Sequence, residues 1–535
     1  MLILYYDSLY FLKMQKVNNH QLYIFLISVL LIKVIFSFFI ELGNDEAYYY
    51  TYALKPQLNY FDHPPMVGIL IRLSTLNLVF INDILLRLGP SLSCFIASLF
   101  LFKTVDILYN RNAAWYTVVM YNLAVYTTII AGWFILPDSP QLPFWCAALY
   151  VMVKIIFQQN DKEIKLWVVL GTLIGLAVLC KIHALYLWVG FGLFILFYRI
   201  KWLANWRLYL SIFITLLFLL PILFWNIENN FITYRFHSER VSHTTIKMDS
   251  FLREVIGEAL YQNPILFVLI IVSLVYFIKQ KSTHQQTKNK KHFLLLMSLP
   301  MIFLFWAFSF FNDIFPHWSG PAYIPLFIIA GYYLSEKFIS PFPIWLKLSA
   351  GLMLIAMFSI TYLANFSSIN LGSKEKKSFG EYSPTLDISG WKDFSNDFDK
   401  LAKQDLAQNK MQTNSKIVVN KWFPACQLDL YTSRKTGISI VAIGSLAEVH
   451  HYAWLNTIRP KLQLGNDAYC IVPSNVPTNV VEHYSNYFSS IQQPDTIKQL
   501  RNNIPVRYFY IWRLKHCKLV PQDILEQNFN KIMAR

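Results

Sequence analysis

Four stretches of this chain each offer acids, a cation or histidine, and each lies between long apolar runs. The first begins Asn44-Asp45-Glu46-Ala47-Tyr48-Tyr49-Tyr50, which sets two carboxylates just past the end of an apolar run. Carboxylates at a membrane surface can act as general bases or bind a metal. The plain alternative is a solvated turn that ends a helix. The same stretch continues Tyr60-Phe61-Asp62-His63-Pro64-Pro65-Met66. The prolines hold an extended backbone, so an acid and an imidazole are fixed in place. With the acids before them, Asp62 and His63 could hold a divalent metal or a phosphate. Otherwise Asp62 caps the helix that follows.

The other three are shorter. Ile135-Leu136-Pro137-Asp138-Ser139-Pro140 has one acid between two apolar runs, the ordinary setting of a helix N-cap. Residues 227–261 carry Tyr234, Arg235, His237, Glu239 and Arg240, and arginine is the preferred partner of phosphate oxygens. Asn312-Asp313-Ile314-Phe315-Pro316-His317-Trp318 offers a histidine for phosphate and a tryptophan that could anchor at the interface. Lys181 and His183 also break an apolar run, in AVLCKIHALYLW. A lysine there should face a polar cavity, a headgroup or an anion, unless it snorkels from the end of a span.

The elements that position these groups follow from composition. The 535 residues are 55% hydrophobic and only 15% charged, with a mean hydropathy of +0.38. That excludes an ordinary soluble chain and a disordered one. About eleven apolar stretches are long enough to cross a bilayer. They lie near 22–42, 81–103, 113–133, 139–157, 165–181, 184–200, 207–226, 262–279, 293–311, 321–336 and 345–365. The expected fold is a polytopic α-helical membrane protein with a C-terminal soluble α/β domain. With the N-terminus inside, inner segments hold about seventeen Lys and Arg against about eight outside, the bias that sets topology. The formal charge of +16 is thus read as inside-loop charge; no nucleic-acid motif is present.

This orientation gives a cytoplasmic leader at 1–21, with Met1 and Met14 both open as start codons, and a membrane domain at 22–365. Its first external loop is 43–80, of which 66–80 is amphipathic and suited to an interface. Residues 366–535 form the external domain, with strand-like runs in KIVVN, GISIVAI and NDAYCIVP. The acid- and histidine-bearing loops then share the outer face. Six cysteines show no CxxC or zinc spacing; Cys94, Cys146 and Cys180 read as small hydrophobes, and one disulfide could form among Cys426, Cys470 and Cys517.

Taken in order, these motifs resemble a known family. NDEAYYYTYALKPQLNYFDHPPMVGILIRL is similar to the first external loop of the GT-C glycosyltransferases of family 39. That group includes the RgtA/B/C/D-like bacterial enzymes, with the protein O-mannosyltransferases and the aminoarabinose lipid A transferase as relatives. LPDSPQLPFWCAALY, GLAVLCKIHALYL and DIFPHWSGPAYIPL resemble its later segments, so the likeness runs from about residue 40 to 335. The resemblance implies a GT-C fold, a polyprenyl-phosphate sugar donor and inverting transfer to a glycan, lipid or protein acceptor. It places the chain in the inner (plasma) membrane, with the active site and C-terminal domain on the periplasmic side.

By the same resemblance Asp45 is the catalytic base, Glu46 shapes the acceptor site or assists Asp45, and Asp138 is the second acid. Lys181, Arg240, His317 and His63 would meet the donor phosphate. Tyr48, Tyr60, Asp62, Arg235 and His237 complete the candidate substrate-binding set. Asp62 and His63 stand where a relative has Glu-Lys, a place linked there to metal and phosphate, which leaves a divalent metal open. The competing readings are a flippase for lipid-linked sugars and a receptor or scaffold acting through the tail. Charge gathered at one outer rim, without an obvious repeat, argues against a repeat-built transporter.

Overall fold

A computed structural model describes residues 17–240, 245–281 and 284–526, except the side chains of Glu239 and Arg240. The chain divides into two compact units. The first comprises residues 1–34, 63–76 and 85–356; the second comprises 35–62, 77–84 and 357–535. Met1 and Met14, and most of the 1–21 leader, lie outside the described residues.

The first unit is helical. Each apolar stretch read from the sequence is helical over most of its length, but only six helices are both long and apolar enough to cross a membrane alone. These are Asn19–Ser37, Asp83–Leu108, Asp138–Phe157, Trp206–Glu228, Gln285–Ser309 and Ile344–Asn365. Met248–Tyr261 and Pro264–Lys279 make a pair bent by 98°. The basic run KQKSTHQQTKNKK is helical from Gln285 onward.

The other apolar stretches are short or interrupted, and the interruptions are satisfied internally, as a dry surrounding requires. Arg111–Tyr121 gives way to a π-turn at Tyr126–Ile130. The hydroxyls of Thr127 and Thr128 both return to the Tyr121 carbonyl that this break would orphan. Close helix approach is also sequence-coded: a Cβ on Gly331 would meet the Thr117 hydroxyl at 2.1 Å. The core is continuous and rich in Trp, Phe, Leu and Ile. The amphipathic stretch is helical over Met66–Ser74, with Val67 and Ile71 buried and Leu73 exposed.

The second unit holds a six-stranded mixed sheet: β1 (Lys416–Val419), β2 (Ile440–Ala442), β3 (Ala468–Pro473), β4 (Phe488–Ile491), β5 (Asp495–Arg501) and β6 (Ile504–Cys517). The order is β2-β1-β3-β6-β4, with β5 also on β6. β1 runs parallel to β2 and β3, pairing Ile417 with Ile440 and with Tyr469. β6 is antiparallel to β3, β4 and β5. Asn502 and Asn503, with φ of 48° and 61°, make the tight turn between β5 and β6 that positive φ at both positions permits.

The three strand-like runs of the sequence are β1, β2 and β3. The helix Trp391–Ala407 covers the sheet: Phe394 stacks on Phe509 at 4.0 Å, and Asp405 takes two hydrogen bonds from Arg513, at 2.7 and 2.8 Å. All six cysteines are free and buried, so no disulfide joins Cys426, Cys470 and Cys517.

Candidate functional site

In the second unit the site starts on the helix Asn44–Leu54, which follows directly from Gly43. Glu46 reaches back to accept the Gly43 N–H at 2.8 Å, the acidic half of a capping box. Glu46 is buried, and this bond gives it a part in holding the helix start. Asp45, one residue earlier, keeps part of its surface open to solvent although protein packs around its carboxylate. Among the described residues its carboxylate makes no hydrogen bond or ion pair. The protein packed around it, and then the carboxylates of Asp62, Glu46 and Asp387, raise its pKa from 3.8 to about 6.

Asp62 is held by its neighbours. Tyr48 donates to it at 3.0 Å, and Tyr52 donates to the same oxygen. Burial and the Asp62 charge push both phenols well above their ordinary range, so they remain donors. Tyr60 stacks on Tyr52 at 3.8 Å, and its hydroxyl donates to the Tyr52 carbonyl at 2.7 Å. Tyr60, expected to bind substrate, is therefore placed as a support: its ring is buried and its hydroxyl is spent on backbone. His451 sits edge-on to Tyr52 and Tyr60, at 5.2 and 5.0 Å. It is fully buried, neither ring nitrogen is hydrogen-bonded to a described residue, and burial lowers its pKa to about 3. The N-cap position of Met66–Ser74 is Pro65, not Asp62.

In the first unit Asp138 is the first residue of its helix, and Pro137 precedes it. An acid there is favoured by the helix dipole, but this one is also paired. Lys181 Nζ lies 3.0 and 3.2 Å from its two oxygens, and the Tyr126 hydroxyl donates at 2.9 Å. Lys181 sits in the break between Ile164–Val178 and the short helix Ile182–Leu185, in an extended conformation. Its carbonyl is held by Gln141 at 2.9 Å. Lys181 does not snorkel: its side chain is 11% exposed and that of Asp138 is 2% exposed.

His317 stacks against Tyr261 at 6.2 Å. Burial first, then the charge of Lys181, lowers its pKa to about 3. It can offer an anion a hydrogen bond but brings no charge at neutral pH. His63 lies 6.1 Å from His237, ring to ring. Arg235 is exposed on the same short helix as His237, and the side chain of Arg240 lies outside the described residues.

A divalent metal does not fit these groups. Asp62 already accepts from two phenols, and among the described residues no three His, Cys, Asp or Glu side chains are arranged to hold a metal ion. Sequence reasoning missed Tyr52, Tyr126 and His451. Nothing in their spacing marks them, in a chain with 32 tyrosines.

The backbone path can now be set beside known structures. Over 92% of this chain and 98% of the other, it superposes on ArnT from Cupriavidus metallidurans bound to undecaprenyl phosphate, with a TM-score of 0.57 and 13% identity. The apo form of that protein gives 0.53. The chain has the GT-C glycosyltransferase fold. Residues 62–225 of the GT-C chain match the family of dolichyl-phosphate-mannose-protein mannosyltransferases. A curated relative is the lipid A galacturonosyltransferase RgtD of Rhizobium johnstonii, 24% identical over 297 residues, or 55% of this chain. The match spans 60% of that relative's length.

Proposed function

We propose that this GT-C protein is a glycosyltransferase of the bacterial inner membrane. It moves a sugar from a polyprenyl-phosphate donor to a glycan acceptor of the lipid A type, on the periplasmic face, with inversion. One observation carries this reading. Asp45 is an exposed carboxylate with no bond to any described residue, raised to about 6, on a helix start braced by Glu46. A general base works best when its pKa lies near the working pH.

In the reaction Asp45 takes the proton of the acceptor hydroxyl as its oxygen attacks the anomeric carbon. The bond from that carbon to the phosphate oxygen breaks, and the polyprenyl phosphate leaves with the electron pair. The leaving charge needs cations and hydrogen-bond donors held in advance. Lys181, His63 and Arg240 are assigned to it, with His317 as a neutral donor. Asp138 holds Lys181 in place through their ion pair. Arg235 and His237 are assigned to the donor headgroup. Asp62, fixed by Tyr48 and Tyr52, keeps a second negative charge near Asp45 and so sustains its basicity. No nucleotide or metal enters a step.

The likeness in fold to a protein crystallised with undecaprenyl phosphate supports the donor class, and the galacturonosyltransferase relative supports the acceptor class. Mass spectrometry of lipid A and of polyprenyl lipids, in a deletion strain complemented with wild type or Asp45→Asn, tests the whole reading. Loss of one sugar mass from lipid A, with accumulation of the polyprenyl-phosphate sugar, is expected in both the deletion and Asp45→Asn. Wild-type lipid A in Asp45→Asn at normal expression would overturn it.

A further inference from the structure

The Tyr48 ring has neighbours beyond Asp62. It packs against Trp422 at 5.2 Å and His450 at 5.8 Å. Trp422 and His450 themselves stack, with centroids 5.7 Å apart and planes 16° apart. Phe61 lies 4.8 Å from His450. Tyr48 and Phe61 are buried, while Trp422 and His450 are half-buried, so two closed rings back two partly open ones. The short helix Trp422–Gln427 is seated on the start of Asn44–Leu54 through Gln427, whose amide donates to the Leu42 carbonyl at 2.7 Å. Tyr48 follows Asp45 by three positions, on the neighbouring turn of the same helix face. Both rings of the stacked pair thus touch a tyrosine one helical turn from Asp45.

His450 holds this place at a cost. Its φ of 52° and ψ of −130° form a conformation that glycine takes freely and side-chain-bearing residues avoid. Strain of this kind persists where the surroundings fix it, and it gathers at ligand sites. Glycine would serve the backbone better, so the imidazole has a use that the turn itself does not require.

Sugars match this surface chemically. A pyranose offers a face of C–H groups, which packs by dispersion on the electron-rich face of a ring, and hydroxyls that carboxylates accept. Here the flat faces belong to Trp422 and His450, and the carboxylates are Asp45 and Asp62. We propose that the stacked Trp422–His450 pair forms the acceptor platform: a pyranose of the acceptor packs against the open side of the pair and presents its hydroxyl toward Asp45. Calling that sugar the acceptor rests on the transferase reading above; the binding itself does not.

The test uses the full chain in nanodiscs and the de-acylated glucosamine disaccharide of lipid A as probe, with affinity measured by calorimetry. Trp422→Ala should weaken binding about tenfold or more, and Trp422→Phe, which keeps a flat ring, about threefold or less. His450→Gly should also weaken binding about tenfold while its melting temperature holds or rises, because glycine relieves the backbone. Asp45→Asn should fail to transfer. Wild-type affinity in both Trp422→Ala and His450→Gly overturns the platform, as does a wild-type protein that ignores the disaccharide at millimolar concentration. Transfer by Asp45→Asn alongside weakened binding by the platform variants would overturn the catalytic reading and leave the platform standing.

Discussion

Lys181 closes on Asp138 with its Nζ 3.0 Å from one carboxylate oxygen, and both side chains are almost wholly removed from solvent. A buried pair of this kind adds little net stability when intact but is costly to break from one side. Lys181→Met strands the acid with only the Tyr126 hydroxyl, and should cost about 3–5 kcal/mol. Adding Asp138→Asn should recover much of that loss. Thermal unfolding in nanodiscs reads both; a neutral single variant would mean the pair is not formed in the membrane.

In the proposed reaction Asp45 sets the acid limb of activity. A base must be unprotonated to work, and this one is raised to about 6, so kcat/KM should fall tenfold per unit below about pH 6. Asp45→Asn should lower kcat by about 10²–10⁴ with little change in KM for the donor. A pH profile flat from 5 to 8 would remove Asp45 from the role of base.

The same shift has a stability sign. The folded pKa lies above the unfolded value, so the fold favours the protonated acid. That contribution is complete below about pH 4 and lost as pH rises through about 6. Asp45→Asn should therefore raise the melting temperature at pH 7.5 and leave it nearly unchanged at pH 4. Equal effects at both pH values would contradict this sign.

Tyr52 and Tyr48 hold Asp62 in place. A hydrogen bond to a charged acceptor is worth about 1.5–3 kcal/mol, so Tyr52→Phe should destabilise the protein by about 2 kcal/mol. Thermal unfolding in nanodiscs reads this, and an unchanged melting temperature in Tyr52→Phe would refute it.

The thiols should be silent. All six are free and buried, so a reductant should leave the melting temperature unchanged, and a maleimide should label the native protein at none of these positions.

Much of this was legible in advance, for physical reasons that differ from place to place. Apolar runs near bilayer length report on helices because lipid demands that backbone groups pair within the segment. β1 to β3 are runs buried on both faces, with Val418 and Cys470 among the sheet's core residues. β6 escaped notice because it carries buried arginines. Arg507 donates to the carbonyls of Leu386 and Ser389, and Arg513 to Asp405, so charges occupy positions that periodicity would assign to hydrophobes. The acids of the site were visible as types at fixed spacing. Their partners were not: the hydroxyl of Tyr126 reaches Asp138 only because a π-turn follows Tyr121, and Tyr52 meets His451 across almost 400 residues of chain.

The second unit is assembled from distant stretches of chain, residues 35–62 and 357–535. Between Asp62 and Met357 lie about 300 residues, which a ribosome adds in roughly 15–60 s at ~5–20 residues per second. For that interval the tyrosine-rich helix and its acids exist without the sheet domain that completes their surroundings. Newly made chains should thus pass through a protease-sensitive stage at residues 43–62, ending when β6 is translated and docks. The last part to be synthesised sets when the first loop matures, and a truncation after the final apolar helix would leave that stage permanent.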